Sequence, residues 1–529
     1  MESALISLWK NTASKTAAGL NRVFEKSLTG GLVRYLGRAC RESFTGRLIS
    51  GEPVRKSLTY SLLRDLCGAL ERAVSRMVPG KSRLLRAVTH GSFLALLLLA
   101  VSALVFLPRT GAPAALGAVL AAAAVLYRPE CGLYLAALLL PFAAFKVLFL
   151  LSLLTLASFV LSVLNGSRRA RFHLSPLAVP LLLFCLVMLY ATVTSIWPFP
   201  SLSEFLIPVT GLVYLLVMVN VFDTGDKLDT FVFLLAVAGF IAACYAIFHF
   251  YSDASILEVK KEWVDVKINP GVQNRAYAGF DNPNLLAQYL TLLAAVLTGA
   301  LSGPAGRLRR LFYALTAAAA VFCLVLTYSR GGYVALAAAM IVFAVFINRL
   351  LLPVLTAAGI FAYSFLPHSI LARLATITSM KDSSSLYRLD TWKSTMSLIE
   401  SHWETGVGLG RNAFARVYYT HMINSNVVPH SHNLYLQIIS EFGILGLAVF
   451  VWLFLAVFKL GLKLCSDGSA RIRSLNAGIM GAIAGFLVHS TVDYFLWYYK
   501  IAILLWLLIA VLLTLEKLAE GRPAAERNE

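Results

Sequence analysis

Charged side chains are scarce in this sequence. Only 14% of the 529 residues are Asp, Glu, Lys or Arg, whereas 59% are hydrophobic. A soluble globular chain carries about a quarter charged residues, so that class is excluded. The apolar runs also lack the alternation of a membrane barrel, and they are long enough for helices, which need about 20 residues to cross a bilayer. The composition therefore predicts an all-α polytopic membrane protein.

Cysteine is also sparse. The seven cysteines show neither disulfide nor zinc spacing, so we expect neither kind of structure. Basic residues are in excess, with 46 Lys and Arg against 27 Asp and Glu. In a polytopic protein this excess is better explained by basic cytoplasmic loops than by nucleic-acid binding. We therefore expect membrane lipids, and no nucleic acid, among the partners.

The first 88 residues differ from the rest of the chain. They hold 16 Lys and Arg against 6 Asp and Glu, with no apolar run long enough to span a membrane. Such a long charged region does not fit a signal peptide. Two interpretations stay open: amphipathic helices on an anionic inner leaflet, or a tail that marks the cytoplasmic side. We predict a basic cytoplasmic extension at 1–88, a membrane domain at 89–520 and a short cytoplasmic tail at 521–529.

Apolar runs separated by basic residues predict about fourteen membrane helices. The run at 131–164 is interrupted by Pro141 and Lys146 and has basic residues near both ends, so it must be two short spans. The other expected spans lie near 91–107, 111–127, 174–196, 203–222, 228–251, 284–301, 311–328, 333–348, 350–366, 434–458, 476–495 and 501–515. This count places both termini in the cytoplasm and the polar segment 367–433 outside.

Two arginines fall on the outer face by the same count, where the positive-inside bias makes arginine unusual. Arg275 precedes an Asn-Pro-Asn turn, in which capping would explain Asn284 but not the arginine. Arg330 lies in a Ser-Arg-Gly-Gly sequence that joins two spans with almost no loop. Snorkelling to lipid phosphate is one explanation of Arg330. Two converging arginines would also suit a diphosphate, which guanidinium groups bind bidentately.

The outer segment 367–433 is too long for a simple connector. Within it, apolar residues recur at helical spacing and predict an amphipathic helix on the membrane, with Arg388 and Lys393 on its wetter side. These apolar residues are Leu386, Leu389, Trp392, Met396 and Ile399. The Gly-rich sequence at 406–414 follows no strand, so we interpret it as a turn and not as a dinucleotide site.

Histidines stand at the end of this outer segment. The His430 and His432 pair could suggest a metal site, but no cysteine accompanies it. A histidine, with a pKa of about 6.5, is better suited to take a proton from a sugar hydroxyl, and it could also simply fix a helix start. His489 and Asp493 lie four residues apart near the outer end of a late span. They could orient the pocket or pair with each other.

Residues 270–500 resemble the O-antigen ligase family of membrane glycosyltransferases. The family signature is a histidine and a small polar residue, then nine residues, then Gly-x-x-Gly. Here His432 and Asn433 are followed by nine residues and by Gly443 and Gly446. Leu447 follows the second glycine, where the family more often has a smaller residue.

The resemblance implies a fold and a reaction. The fold would be a GT-C-type helical bundle of about 12–14 transmembrane helices with a large external loop. The reaction would be an inverting, metal-independent glycan transfer, without a cofactor, from an undecaprenyl-diphosphate carrier to a lipid or glycan acceptor at the outer face of the cytoplasmic membrane. His432 would be the base, and Arg275 and Arg330 would bind the diphosphate. The possible supporting residues are Arg388, Asn433, Asn284, His489 and Asp493.

Two alternatives to a ligase stay open. Polysaccharide polymerases of the same superfamily often carry an arginine followed after fifteen residues by a glycine in external loops. The corresponding positions after Arg275, Arg388 and Arg411 are not glycine, which favours the ligase. A polytopic transporter would instead place polar residues near the bilayer midplane. Lys146 is the one such candidate, and we expect it in a turn.

Overall fold

The architecture is helical throughout the part of the chain that the computed structural model describes. The described residues are 112–164, 175–252, 274–277, 279–364, 370–371, 375, 383–423, 428–467 and 469–521. No strand occurs among them. In chain order the helices are α1 (Ala112–Tyr127), α2 (Pro129–Leu139), α3 (Phe145–Leu164), α4 (Ala178–Val193), α5 (Pro198–Val221), α6 (Gly225–Tyr251), α7 (Pro283–Ser302), α8 (Arg307–Leu326), α9 (Arg330–Ile347), α10 (Leu351–Tyr363), α11 (Ser383–His402), α12 (Arg411–Tyr418), α13 (Leu434–Asp467), α14 (Ala470–His489) and α15 (Tyr499–Glu520).

Most of these helices can cross a membrane. Nine are long and apolar enough, and four others, α1, α2, α4 and α10, are apolar but shorter. The prediction of an all-α polytopic membrane protein is thereby confirmed. The extension at 1–88 and the expected span near 91–107 lie outside the described residues. The GT-C-type assignment came from the resemblance alone and stays a prediction.

Several helix boundaries differ from those expected. The interruption between α2 and α3 contains Pro141, as predicted, but Lys146 is the second residue of α3 and lies outside the turn. Helix α13 continues to Asp467, so Lys459 and Lys463 are helical and do not form a loop. Lysine is a good helix former, whereas proline lacks the backbone donor that a helix interior needs. Basic residues therefore mark the membrane boundary without ending the helix.

Helices α7, α14 and α15 form the centre of the bundle. In the apolar stretch of each of these helices, 78%, 83% and 89% of the residues, respectively, are buried within the protein. Helix α14 packs against both α7 and α9, and the contact with α7 is close. A Cβ at Gly299 of α7 would lie 2.8 Å from Cα of Gly478 of α14. Small residues at such crossings let membrane helices approach and gain packing energy.

A break in α13 brings the outer segment against the bundle. Gly443 has φ 69° and ψ −172°, a conformation that favours glycine. The break leaves peptide groups available, and the N–H of Val407 donates to the carbonyl of Ser440 at 2.7 Å. The N–H of Ile444 donates to the carbonyl of Trp403 at 2.8 Å. In the Gly-rich sequence, residues 406–410 form a bent segment that is hydrogen-bonded to α13, and residues 411–414 begin α12.

Helix α11 confirms the helix predicted in the outer segment but not the face that it buries. Leu386 and Met396, expected on the apolar side, are 48% and 47% exposed. Arg388, expected on the wetter side, has its Nε atom buried. Helix α11 packs on α13, so its partner is the polar end of the bundle, and polar side chains such as Thr391 turn inward.

Candidate active site

A series of hydrogen bonds joins predicted site residues at the end of the bundle where α7, α9, α13 and α15 begin. Arg275 Nη2 donates to Asn284 Oδ1 at 3.1 Å. Asn284 Nδ2 donates to Asp493 Oδ2 at 2.9 Å. Asp493 Oδ1 lies 3.2 Å from His432 Nδ1. We call these four residues the polar cluster, and this end of the bundle the site end. Tertiary packing thus assembles one site from three distant parts of the chain.

The backbone at His432 has a left-handed conformation. Its φ is 51°, which is uncommon for a residue other than glycine and is typical of constrained functional positions. The preceding residues hold it: Ser431 N–H donates to Gln437 Oε1 at 2.7 Å, and Ser431 Oγ donates to the Asn433 carbonyl at 2.7 Å. The N–H of His432 itself donates to His430 Nδ1 at 3.3 Å. These bonds fix the direction in which the imidazole ring projects from the backbone.

Asn433 supports the site by starting α13. Its Oδ1 accepts from the N–H groups of Tyr435 and Leu436 at 3.0 and 3.1 Å, which satisfies free donors of the first turn. Its Nδ2 donates to the Thr491 carbonyl at 2.9 Å. Asn433 thereby ties the loop that carries His432 to the loop that carries Asp493.

The His432 and Asp493 pair has the geometry of a base and its orienting group. Burial alone would raise the pKa of Asp493. The hydrogen bond from His432 and the charges of His432 and Arg388 have the larger combined effect, and they hold the pKa below its usual range. An ionised carboxylate can only accept, so Nδ1 of His432 carries a proton and Nε2 of the neutral ring can take one. The same logic operates wherever a carboxylate orients a histidine base.

Asn284 is a member of the cluster and not a helix cap. Asn282 caps α7, because its Oδ1 accepts from the N–H groups of Asn284 and Leu285 at 2.9 and 3.0 Å. The Oδ1 of Asn284 instead accepts from Ser329 Oγ at 2.9 Å, in addition to Arg275. With both acceptor positions used, its amide nitrogen is directed at Asp493. The capping interpretation of Asn284 was therefore wrong.

Both predicted phosphate-binding arginines lie at the site end. Arg275 is half-buried, and its Nε donates to the Thr327 carbonyl at 2.8 Å while Nη2 reaches Asn284. Arg330 is the first residue of α9, also half-buried, and its Nη2 donates to Ser385 Oγ of α11 at 3.2 Å. Both guanidinium groups stay charged at any physiological pH. They provide positive charge beside the His432 and Asp493 pair.

Comparison with known protein families identifies a segment that carries part of this site. Residues 315–451 match the model of the O-antigen ligase family. This segment belongs to the O-antigen ligase family. Together with the membrane helices, the match shows a membrane glycosyltransferase of the O-antigen ligase or polymerase type, which acts on lipid-linked glycans. No curated protein matches the chain.

The ligase-family segment contains only part of the site. Arg330, α11 and His432 lie within it, whereas Arg275, Asn284 and Asp493 lie outside. The hydrogen bonds of the polar cluster join the two sets. The site therefore depends on packing between the family segment and the flanking helices α7, α14 and α15.

His430 lies two residues before the histidine of the family motif, and it is buried. Burial, followed by the neighbouring His432, lowers the pKa of His430 to about 3. The ring is neutral at physiological pH. Because Nδ1 accepts from the N–H of His432, Nε2 carries the proton and donates to Tyr498 Oη at 3.4 Å. His430 thus shapes the loop, and His432 is the candidate base.

The same residues could also be metal ligands. His430, His432 and Asp493 each offer one ligand atom, and these atoms lie within 4.8 Å of one another. Neutral imidazole and carboxylate are ligands that zinc accepts. In the observed geometry, however, His430 Nδ1 accepts a backbone N–H and His432 Nδ1 donates to Asp493. A metal would have to displace both hydrogen bonds.

We expect the chain to lose stability in acid more steeply than a His430→Asn variant. The folded pKa of about 3 lies below the value of about 6.5 for an exposed histidine, so the unfolded chain alone binds a proton between them. This contribution to stability is complete above about pH 6.5 and falls as pH drops, by about 1.4 kcal/mol per unit. Thermal unfolding in detergent at pH 7 and pH 4.5 measures it. Wild type should lose about 2.5 kcal/mol more than the variant, and equal losses would contradict the burial of a neutral His430.

His489 supports the start of α9 and does not pair with Asp493. Helix α14 ends at His489, so Asp493 lies in the following turn and not one helical turn further on. The Nδ1 of His489 lies 2.7 Å from Gln288 Oε1. A Cβ at Gly331 would lie 2.5 Å from the His489 ring. The histidine therefore packs beneath the residue that follows Arg330.

A buried carboxylate was missed by the sequence reasoning. Glu441 Oε1 accepts from Gln437 Nε2 at 2.8 Å, from Tyr494 Oη at 3.1 Å and from Trp497 Nε1 at 3.1 Å. Gln437 in turn accepts from the N–H of Ser431. Glu441 therefore connects the loop after Asp493 to the loop before His432. A single acidic residue inside an apolar run was the available signal, because charge within a membrane helix is costly and usually functional.

Proposed function

We propose that this chain transfers a glycan from an undecaprenyl-diphosphate carrier to a lipid or glycan acceptor at the outer face of the cytoplasmic membrane. The observation that carries the proposal is the hydrogen bond between His432 and Asp493, in the same polar cluster as the hydrogen bond from Arg275 to Asn284. A base oriented by a carboxylate suits activation of a hydroxyl. Fixed guanidinium groups suit a diphosphate leaving group.

The residues divide the reaction between them. His432 Nε2 takes the proton of the acceptor hydroxyl, and the acceptor oxygen attacks the anomeric carbon of the donor sugar. The bond from that carbon to the diphosphate oxygen breaks, and the configuration inverts because attack comes from the opposite face. Arg275 and Arg330 stabilise the negative charge on the departing diphosphate. Asp493 stabilises the imidazolium, which then releases its proton to water.

The distribution of basic residues supports an outer location for the site. The end of the bundle opposite the site carries a set of basic side chains, namely Arg307, Arg309, Arg310, Lys463, Arg471 and Arg473. The positive-inside bias assigns such an end to the cytoplasm. Helix α15 finishes at that end, so the C-terminal tail would be cytoplasmic, and the N-terminal extension is expected there too.

The proposed transfer needs no metal, because two guanidinium groups can neutralise the diphosphate. We expect a strong chelator to leave the transfer rate of the purified chain within about twofold, a loss of less than about 0.5 kcal/mol of transition-state stabilisation. A loss of activity that added divalent cation restores would instead assign His430, His432 and Asp493 to a metal site.

Deletion of the gene tests the function in cells. Surface glycans and lipid-linked glycans are compared in the deletion strain, complemented with wild type or with His432→Ala. Loss of the whole glycan from its anchor, with accumulation of lipid-linked polymer, supports the ligase. Single repeat units in place of polymer would assign the polymerase reaction. Unchanged glycans would overturn the proposal and favour the transporter.

A further inference from the structure

Two buried hydrogen-bond donors of α11 have no acceptor among the residues that the structure describes. They are Nε of Arg388 and Nε1 of Trp392. Buried polar groups are nearly always paired, because leaving one unpaired destabilises the fold. Helix α11 therefore presents two costly donors near the candidate site. An acceptor that arrives with the substrate would relieve both.

Helical spacing aligns these donors with a residue that already contacts the site. Ser385, Arg388 and Trp392 follow an i, i+3, i+7 pattern, so they lie along one side of α11. Ser385 Oγ accepts from Arg330 Nη2 at 3.2 Å. With a rise of about 1.5 Å per residue, the three positions cover about 10 Å along the helix. The line begins at Ser385, which contacts Arg330, one of the two proposed diphosphate ligands.

Other contacts place the same helix over the polar cluster. The Tyr387 ring lies 5.8 Å from the His432 ring. The positive charge of Arg388 acts on both Asp493 and His430. Arg388 is the next residue after Tyr387 on the same helix, three residues after Ser385. Trp392 lies one helical turn further along α11.

We propose that Arg388 and Trp392 form a subsite for the sugar-phosphate end of the lipid-linked donor. This proposal rests on the function proposed above. Arg388 binds a phosphate oxygen, because a guanidinium group binds anionic oxygen strongly. Trp392 binds an oxygen of the first sugar through its indole N–H, which is a neutral donor on an apolar ring. To reach both nitrogen atoms, the donor displaces the side chains that bury them.

Binding without transfer tests the subsite. The full chain is reconstituted in nanodiscs and titrated with two probes, undecaprenyl diphosphate alone and the lipid-linked glycan extracted from the deletion strain. Arg388→Lys should weaken binding of both probes about 10-fold, because the Nε–H is lost while the charge stays. Trp392→Phe keeps an aromatic ring and loses the N–H. It should weaken the glycan-bearing probe about 3- to 10-fold and leave undecaprenyl diphosphate unchanged.

Matched controls come from the same outer segment. Lys393 is on the exposed side of α11, and the Trp403 side chain is 51% exposed. Lys393→Gln and Trp403→Phe should bind both probes as wild type does. Wild-type affinity for both probes in Arg388→Lys and Trp392→Phe would overturn the subsite alone. A wild-type chain that binds neither probe would overturn the proposed function as well, and equal weakening of both probes by Trp392→Phe would overturn its assignment to sugar.

Discussion

Replacing His432 with alanine should lower glycan transfer by about 10²- to 10⁴-fold, the usual contribution of a positioned general base. The loss should fall on the chemical step, because the donor is bound mainly by arginines. The measurement is the transfer rate of the purified chain at saturating donor, compared between wild type and His432→Ala.

Asp493→Asn should be almost as damaging, although it changes a single atom. Asp493 Oδ2 accepts from Asn284, and Oδ1 accepts from both His432 and the N–H of Tyr494. An amide nitrogen placed on either side would face a donor. Asn284 cannot simply rotate, since its own oxygen accepts from Arg275. The asparagine would therefore force His432 toward the tautomer that protonates Nε2, which is useless as a base.

A second histidine of the outer segment serves as the control. His421 lies beside His402, with ring centroids 6.1 Å apart, and neither belongs to the polar cluster. His421→Ala should transfer glycan at the wild-type rate. A His432→Ala chain that folds normally and keeps more than about a tenth of wild-type activity would remove the base role, because that loss is below about 1.4 kcal/mol.

The sequence singled out candidate site residues but could not predict how they pair. Arg275, Arg330 and His432 could be singled out by their expected positions on the outer face and by motif context. Their partners could not, because the hydrogen bond between Asn284 and Asp493 joins residues 209 positions apart. Spacing along a helix suggested instead that His489 faces Asp493, and the end of α14 at His489 breaks that register. A local sequence pattern carries no information about pairing between residues so far apart in the chain.

The fold was predictable to a similar degree. Runs of apolar residues located the helices, since hydrophobic length alone decides whether a segment can span a bilayer. The inward face of α11 was not predictable, because amphipathic spacing assumes an apolar partner and α11 packs on a polar one. The break in α13 was hidden as well. Gly443 occurs within an apolar run that reads as continuous helix, and the break is paired with backbone groups of residues 403–408.

Replacing either of the two arginines proposed to bind the diphosphate, Arg275 or Arg330, with alanine should lower transfer by about 10²- to 10³-fold, as loss of a donor to a developing anion does. Lysine should separate their roles. Arg275 uses Nε for the Thr327 carbonyl and Nη2 for Asn284, and one ammonium group cannot reproduce that fork. Arg275→Lys should therefore be nearly as inactive as Arg275→Ala. Arg330→Lys should keep more activity, because a positive charge at the start of α9 still faces the diphosphate.

Kinetic constants for the donor would distinguish charge from geometry. Arg330→Lys should mainly raise KM, whereas Arg275→Lys should also lower kcat, because Asn284 then loses the contact that directs its amide at Asp493. Arg416 is the control. It is exposed in the outer segment 367–433, and its guanidinium group stacks on the Trp197 ring at 5.1 Å. Arg416→Ala should leave both constants unchanged. If Arg275→Lys kept the wild-type kcat, Arg275 would bind the donor without supporting the His432 and Asp493 pair, and the polar cluster would act as two separate sites.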